Sequence, residues 1–463
     1  MNRPARAALA LILALIVSSA PSAMPLASAQ SVRDLVDVCR DNGAPAELCS
    51  GLDHLIQLGG VVCREVAGGT SCTGVDEQTV DAAAVEAHQE SWLAQALAHQ
   101  RVLGDDQPLR NATWLHTHNS YNADAYPQTF YGLDPNQLYS ITDQLRMGIR
   151  AIEIDVHWFQ EQVVVCHGGI GAAAHFGCGV NDPLLPERLQ EIAAFIETHP
   201  FEVILLYLEN NLDDDPVAHD MAAKQIDTSL GDLVYKPEGK CSPLPMELTR
   251  QQIRAIGARV VITGNCGPGA WGDYVHVRGP AWKESSLGPG DDYPNYPCEA
   301  ERGKEHYDEN FIRRYADETG LSSGTGGGGD VTLNDARNMI RCGVDMPGLD
   351  NLVPFDERLV QFVWSWADKE PNTGGCAYQG EDGRFRSGDC SVPRRFACVD
   401  GTGAWIVTPT MGRWDQGPSN CGLVQYDVPR NGWANELLRT AKGSGEVWVN
   451  YARVGPDWVP RPV

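Results

Sequence analysis

A segment with two-residue alternation, from Gly148 to Trp158, restricts the folds open to this 463-residue chain more than any other. Its central residues alternate between apolar and ionisable side chains, in the order Ile152, Glu153, Ile154, Asp155, Val156 and His157. Because successive side chains of a β-strand point to opposite faces, one face carries two carboxylates and an imidazole. A solvated surface strand shows the same pattern, so the neighbouring segments must decide between the two interpretations.

Three other short apolar segments bring polar side chains to, or close to, their carboxyl ends. They are residues 114–121, 163–168 and 203–210. Enzymes built on parallel barrels place their chemistry at the carboxyl ends of the strands. We therefore expect these segments to be strands of one sheet whose ends together form a site.

Strand and helix patterns alternate through the middle of the chain. We predict strands near 113–118, 150–156, 162–167, 202–208, 258–264, 274–278, 343–349 and 360–366. We predict helices near 137–147, 187–198, 216–229, 249–256 and 332–341. This order predicts an α/β fold, a (β/α)8 TIM-type barrel in regular or distorted form, with disulfide-stapled N-terminal and C-terminal extensions.

The start of the chain has the composition of a secretory signal, because Arg3 and Arg6 precede an apolar run and small residues follow at Ala27 to Ala29. No later segment is long and apolar enough to predict a transmembrane helix. The predicted segments are a signal peptide at 1–29, a cysteine-containing extension with a covering helix at 30–105, a catalytic barrel at 106–369 and a Cys/Trp-rich extension at 370–463.

The fourteen cysteines are even in number and dispersed, which is typical of disulfides in an exported protein. We predict a pair between Cys166 and Cys178. The net charge of −25 argues against nucleic acid and against electrostatic docking on anionic membranes. The connection 279–330 ends in four glycines but lacks the lysine of a nucleotide-binding loop, so we predict a flexible loop and no nucleotide.

The polar residues of these segments fall into two chemical types. Asn119, Glu153, Asp155 and Glu209 are hard oxygen donors, which Ca²⁺ prefers. His118 and His167 are suited to moving protons near neutral pH. A hard dication beside two histidines is an arrangement suited to phosphodiester cleavage.

Four motifs in this order resemble the catalytic X region of the phosphatidylinositol-specific phospholipase C superfamily. The motifs are Thr117-His118-Asn119-Ser120-Tyr121, Gly148 to Asp155, Val165-Cys166-His167-Gly168 and Tyr207-Leu208-Glu209-Asn210. The resemblance implies that His118 and His167 are catalytic and that Asn119, Glu153, Asp155 and Glu209 bind calcium. Metal-independent bacterial members have an arginine where Asp155 stands, so the resemblance implies a secreted, calcium-dependent bacterial-type enzyme.

The resemblance implies cleavage of phosphatidylinositol-type lipids, at a membrane or micelle surface, to diacylglycerol and a cyclic inositol phosphate. We assign His118 to proton acceptance or transition-state stabilisation and His167 to protonation of the leaving oxygen, with Glu153 as an alternative base. His157, Arg150 and Trp366 are candidate substrate-binding residues. For Arg150, which falls on the opposite strand face, a structural ion pair is the favoured interpretation.

Two other functions remain open. A glycerophosphodiester phosphodiesterase uses a similar pair of histidines, although its His-Arg-Gly and His-Asp motifs are absent from this chain. A non-catalytic barrel protein that binds carbohydrate or membrane is the other alternative, because a fold does not by itself determine a function.

Overall fold

A computed structural model describes residues 61–66, 69–74, 81–126, 135–167, 178, 182–288, 290–296, 298, 310–318 and 329–461. The predicted signal peptide and Cys39 and Cys49 lie outside the described residues. Strands β1 (Val61–Val66) and β2 (Gly69–Gly74) pair in an antiparallel register that places Cys63 opposite Cys72. No helix in the described part of the chain is long and apolar enough to cross a bilayer.

The predicted covering helix is two helices, α1 (Ala82–Gln89) and α2 (Trp92–Leu103). The break follows from Ser91, whose hydroxyl accepts a hydrogen bond from the backbone N–H of Ala94 and so caps the start of α2. Leu93 and Leu97 are buried, as the helical spacing predicts, whereas Val102 is exposed.

The central sheet has eight parallel strands and one antiparallel hairpin strand. In chain order the strands are β3 (His116–Thr117), β4 (Ala151–Phe159), β5 (Gln162–Val165), β6 (Ile204–Asn211), β7 (Val260–Gly264), β8 (His276–Val277), β9 (Trp282–Ser286), β10 (Phe311–Tyr315) and β11 (Met346–Leu349). Their order across the sheet is β8-β7-β6-β4-β3-β11-β10-β9, with β5 beside β4. The first and last strands, β3 and β11, pair as in a barrel, and no ladder among the described residues joins β8 to β9. The TIM-type barrel prediction is confirmed in its distorted form.

Helices cover the outside of this curled sheet, close to where the sequence predicts them. They are α3 (Ile141–Arg146), α4 (Leu185–Thr198), α5 (Pro216–Leu230), α6 (Arg250–Ala255), α7 (Leu333–Arg341) and α8 (Glu357–Phe362). Their starts carry recognisable caps: the Asp215 carboxylate caps α5, and the Thr332 hydroxyl caps α7. The apolar face of β4, with Ile152 and Ile154, is fully buried in the main core.

Three strand predictions were wrong in their detail. The segment 162–167 contains β5, which is the antiparallel partner of β4 and not a barrel strand. The segment 360–366 begins inside α8, because Asp356 caps this helix and Leu359 and Phe362 are buried one turn apart. Two barrel strands, β9 and β10, lie within 279–330, which we predicted to be a loop. In β9 only the first residue is buried, so the segment lacks the apolar alternation of a strand.

The C-terminal extension is a second sheet with two helices. Its elements are β12 (Cys376–Gln379), β13 (Phe385–Gly388), β14 (Arg395–Val399), β15 (Trp405–Val407), α9 (Gly417–Cys421), β16 (Gln425–Tyr426), α10 (Gly432–Lys442), β17 (Val447–Val454) and β18 (Asp457–Val459). The strand order is β13-β12-β17-β14-β15, with β16 on β14 and β18 on β17. Disulfides Cys376–Cys390 and Cys398–Cys421 staple the extension as predicted.

The barrel contains three further disulfides. They are Cys166–Cys178, Cys241–Cys266 and Cys298–Cys342. The pair predicted between Cys166 and Cys178 is confirmed. It ties the chain that follows β5 at the carboxyl end of the sheet.

Candidate active site

Three carboxylates converge inside the barrel at the carboxyl end of its sheet. Glu153 and Asp155 lie on the inward face of β4, and the strand register pairs Asp155 with Glu209 on β6. One carboxylate oxygen from each of the three residues lies within 4.8 Å of the others. The structure therefore brings together three of the four predicted calcium ligands.

Glu153 is surrounded by three nitrogen groups. Its Oε2 lies 2.5 Å from a terminal nitrogen of Arg313 and accepts a hydrogen bond of 3.2 Å from the backbone N–H of Asn119. His116 Nε2 is 3.2 Å from the same oxygen, without the alignment of a hydrogen bond. Burial alone would raise the pKa of the Glu153 carboxyl, but Arg313 and the neighbouring histidines lower it below its usual range. Glu153 is therefore ionised.

Arg313, on β10, places a buried positive charge next to this carboxylate. Its guanidinium lies over the rings of Tyr207 and Tyr315, at 4.8 and 4.1 Å from their centroids, and is also 3.2 Å from a carboxylate oxygen of Glu284. Burial would lower the pKa of Arg313, but Glu153 outweighs burial and raises it. We did not predict this residue, because its strand was predicted to be loop.

Asp155 and Glu209 have far fewer counter-charges than Glu153. Asp155 Oδ2 accepts a hydrogen bond of 2.8 Å from the Tyr121 hydroxyl, whereas its Oδ1 is buried without a partner. Burial, then Glu209 and Glu153, raise the pKa of Asp155 well above its usual range. Burial and Glu153 likewise raise the pKa of Glu209. A buried carboxylate oxygen without a donor, facing two other carboxylates, is suited to a cation.

Asn119 connects the carboxylates to the histidines. Its φ of 44° is in the left-handed region, which asparagine tolerates better than most residues. Its Nδ2 donates to Asn136 Oδ1 at 3.1 Å and lies 3.4 Å from His167 Nε2. The other ring nitrogen of His167 lies 3.3 Å from Asn122 Nδ2. Burial, followed by the nearby charge of His118, lowers the pKa of His167 to about 4.

His118 has a carboxylate partner that His167 lacks. His118 Nδ1 lies 3.4 Å from Asp350 Oδ1 and 3.4 Å from Asn136 Nδ2, and its ring centroid is 4.6 Å from that of Tyr315. Burial lowers the pKa of His118, but the Asp350 and Glu153 carboxylates outweigh it, so the pKa is raised. His118 is therefore the more basic of the two imidazoles.

His116 lies one strand residue below the catalytic motif and supports Glu153 from beneath. It is fully buried, and burial lowers its pKa to about 4. A Cβ atom at Gly348, on the adjacent strand β11, would lie 2.5 Å from His116 Nδ1 and 2.7 Å from the Tyr315 Cβ. Glycine at this position therefore leaves room for the interior side chains of two neighbouring strands.

The three candidate substrate-binding residues lie apart from this centre. His157 is buried further along β4, where its Nε2 is 3.4 Å from Asn211 Nδ2. Arg150 faces the outer helices and is 2.8 Å from a Glu202 carboxylate oxygen, which agrees with the structural ion pair favoured above. Trp366 is fully buried.

Trp366 contacts three aromatic residues of the C-terminal extension: its ring centroid lies 6.0, 5.7 and 4.7 Å from those of Phe385, Tyr451 and Trp458. It holds the two parts of the molecule together. A substrate contact for Arg150 or Trp366 therefore has no support in the geometry.

Two site residues besides Arg313 were missed. Asp350 directly follows β11, so the same rule that identified Glu209, a polar residue at a strand end, could have identified it. Asn136 gives no such signal, since it comes from a connecting segment and reaches the site only through the fold. Its Nδ2 also donates to Asp350 Oδ2 at 3.0 Å, which joins both catalytic motifs into one network.

The chain is similar to known proteins over most of its length. A family model described as the Rv2075c PI-PLC-like domain matches residues 76–356. The chain is 34% identical over 436 residues to Uncharacterized protein Rv2075c of Mycobacterium tuberculosis (strain H37Rv), which covers 87% of this chain and 88% of that protein. It is 32% identical over 110 residues to the PI-PLC X domain-containing protein At5g67130 of Arabidopsis thaliana, which covers 22% and 24% of the two chains.

Solved structures of bacterial enzymes are more distant. A phosphatidylinositol-specific phospholipase C from Listeria monocytogenes is 16% identical with a TM-score of 0.36, over 56% of this chain and 95% of that one. A pentafluoro-Phe-containing phosphatidylinositol-specific phospholipase C from Staphylococcus aureus is 12% identical with a TM-score of 0.37, over 60% and 98% of the two chains.

Proposed function

This chain belongs to the family of the Rv2075c PI-PLC-like domain, and on that basis we propose that it is a phosphodiesterase that cleaves phosphatidylinositol-type lipids. The products are diacylglycerol and a cyclic inositol phosphate. One observation carries the proposal: two imidazoles and three carboxylates meet at the carboxyl end of the barrel, with Asn119 in contact with both groups. The substrate belongs to a membrane or micelle surface, and the predicted signal peptide makes the proposed enzyme a secreted one.

The two histidines have complementary proton affinities. His118, whose pKa the Asp350 carboxylate helps to raise, is the stronger base and takes the proton of the attacking inositol hydroxyl. His167, with a pKa lowered to about 4, is the stronger acid once it is protonated, and it gives a proton to the leaving glycerol oxygen. The negative charge of the bound phosphodiester raises the pKa of both imidazoles, which favours the protonated form of His167.

Calcium fits the carboxylate cluster by charge and by donor type. Three carboxylates and the single guanidinium of Arg313 leave two negative charges, which one divalent cation balances. Glu153, Asp155 and Glu209 would hold the ion together with the Oδ1 of Asn119, whose Nδ2 is already bonded to Asn136. When bound, Ca²⁺ offsets negative charge on the phosphate oxygens and favours ionisation of the attacking hydroxyl.

The first experiment compares two substrates. The purified protein is incubated with phosphatidylinositol and with glycerophosphoinositol, each with calcium or with a chelator. We expect diacylglycerol release that the chelator abolishes. Turnover of the deacylated diester alone would instead identify a glycerophosphodiester phosphodiesterase, and no turnover of either would leave a non-catalytic barrel. Robust turnover in chelator would refute the calcium assignment.

Leaving-group chemistry separates the roles of the histidines. We expect His118→Ala and His167→Ala each to lose about 10²–10⁴-fold in rate on phosphatidylinositol. An inositol phosphodiester with a p-nitrophenol leaving group needs no acid, so His167→Ala should regain activity on it and His118→Ala should not. His199→Ala, at the end of α4 and stacked on Phe195, is the matched control and should behave as wild type. Rescue of His118→Ala instead would reverse the two roles.

A further inference from the structure

A polar cavity of about 390 Å³ lies between the outside of the barrel and the C-terminal extension. Helices α7 and α8 form one wall, and the β12–β13 turn with α10 forms the other. Four of its lining residues are arginines, and we call it the arginine cleft: Arg337, Arg341, Arg384 and Arg439. None of the catalytic or carboxylate residues described above lines it.

The two carboxylates that line the cleft already have partners. Glu436 binds both Arg341, at 2.7 Å, and Arg439, at 2.8 Å. Asp382 is 2.7 Å from the guanidinium of Arg386, which is not a lining residue. These acids therefore leave the other two arginines of the cleft without a carboxylate.

Arg337 and Arg384 use only part of their hydrogen-bonding capacity. Arg337 Nε donates to the side-chain oxygen of Gln361 at 3.0 Å, and one terminal nitrogen of Arg384 donates to the Val360 carbonyl at 2.9 Å. Neither guanidinium forms an ion pair with a carboxylate among the residues that the structure describes. A guanidinium has five N–H donors, so both side chains retain donors for a further acceptor.

The two charges repel each other in a partly desolvated place. Burial lowers the pKa of the Arg384 guanidinium, Asp382 opposes this, and the positive charge of Arg337 adds to the lowering. An otherwise acidic chain, with a net charge of −25, thus keeps two unpaired arginines side by side in a cavity. An anion between them would remove the repulsion and satisfy the remaining donors.

We propose that the arginine cleft binds a phosphate-bearing anion, with Arg337 and Arg384 as its two ligands. Guanidinium groups match the geometry of phosphate oxygens and bind them with paired hydrogen bonds. The volume suits a small molecule or a single head group. Asn435 adds no selectivity, because its amide nitrogen already donates to the Trp364 and Gly383 carbonyls. The phosphate comes either from a free phosphorylated molecule or from a phospholipid head group.

Calorimetric titration of the full chain with inorganic phosphate tests the site. To remove any contribution of the catalytic centre, the same titration is made in the His118→Ala background, where we expect unchanged binding. Arg337→Gln and Arg384→Gln should each weaken phosphate binding roughly tenfold to a hundredfold, the loss expected for charge-assisted hydrogen bonds. Arg413→Gln, an exposed arginine of the same extension that pairs with Asp415, is the control and should bind as wild type.

A sedimentation arm identifies the source of the phosphate. If the ligand is a lipid head group, vesicles containing phosphatidic acid should carry the protein down, and Arg337→Gln should abolish this. If it is a soluble molecule, phosphate binds and the vesicles do not. Arg337 is exposed, so its substitution leaves the melting temperature unchanged and separates loss of binding from loss of folding. Binding equal in both arginine variants and wild type, or lost only with His118→Ala, overturns the proposal.

Discussion

Replacing Arg313 with methionine tests the most heavily charged part of the site. The Arg313 and Glu153 side chains are 3% and 2% exposed and lie 2.5 Å apart, so neither charge is reached by bulk water. Methionine retains much of the apolar volume between Tyr207 and Tyr315 but leaves Glu153 facing two other carboxylates. Breaking such a buried pair costs roughly 3–5 kcal/mol of unfolding free energy, because the remaining charge stays desolvated.

The same substitution should strengthen the response to calcium. Without Arg313 the carboxylate cluster carries three negative charges in place of two, so a divalent cation gains more from binding. A ligand that binds only the folded state raises its stability in proportion to the logarithm of its concentration over its dissociation constant. We therefore expect millimolar calcium to raise the unfolding midpoint of Arg313→Met more than that of the wild type.

Urea unfolding, followed by tryptophan fluorescence in chelator and in calcium, measures both effects. Arg150→Met is the matched control, because Arg150 is also buried, is 5% exposed, and pairs with Glu202 on the opposite face of β4. It should destabilise the protein without changing the shift caused by calcium. The double variant Arg313→Met/Glu153→Gln should recover part of the lost stability. A loss below about 1 kcal/mol, far under that of a broken buried pair, or equal calcium shifts in both arginine variants, would refute the reasoning.

Two further predictions concern proton affinity. Asp350→Asn should lower the pKa of His118, since burial is then opposed less, and should reduce the rate about 10²–10⁴-fold; an NMR titration of the His118 ring together with the pH profile of turnover measures both. Burial lowers the pKa of His88, His99 and His276, so protons bind preferentially to the unfolded chain and the unfolding free energy should fall as pH drops through about 6.5; urea midpoints on both sides of that pH measure the slope, which His276→Gln should flatten.

The part of the site that was predictable lies on strands with an unambiguous pattern. In β4 every second residue is apolar, so the alternation alone assigned Glu153 and Asp155 to one face, and the fold confirms the assignment. The carboxyl end of β6 likewise identified Glu209. In each case the local pattern and the tertiary position agree, because a strand buried on both faces permits a polar side chain only at its end or toward an interior site.

The part that was not predictable depends on contacts between distant segments. His118 receives Asp350 and Asn136 from segments that are remote in sequence, and nothing local to His118 indicates either partner. The strand β9 is polar after Trp282, so its backbone pairing with β10 overrides the preference of its side chains. The helix α8 was mistaken for a strand because its short apolar segment fits both periods.

The position of Arg313 follows from a rule that the sequence does contain. In Phe311-Ile312-Arg313-Arg314-Tyr315 two arginines are adjacent, and adjacent residues of a strand point to opposite faces. If this segment is a barrel strand, one arginine must therefore face the interior, where a charge requires a partner. The interior carboxylates lie on β4 and β6, so an inward arginine must approach them. A pair of consecutive charged residues inside an apolar strand thus predicts both a buried ion pair and the face on which the site lies.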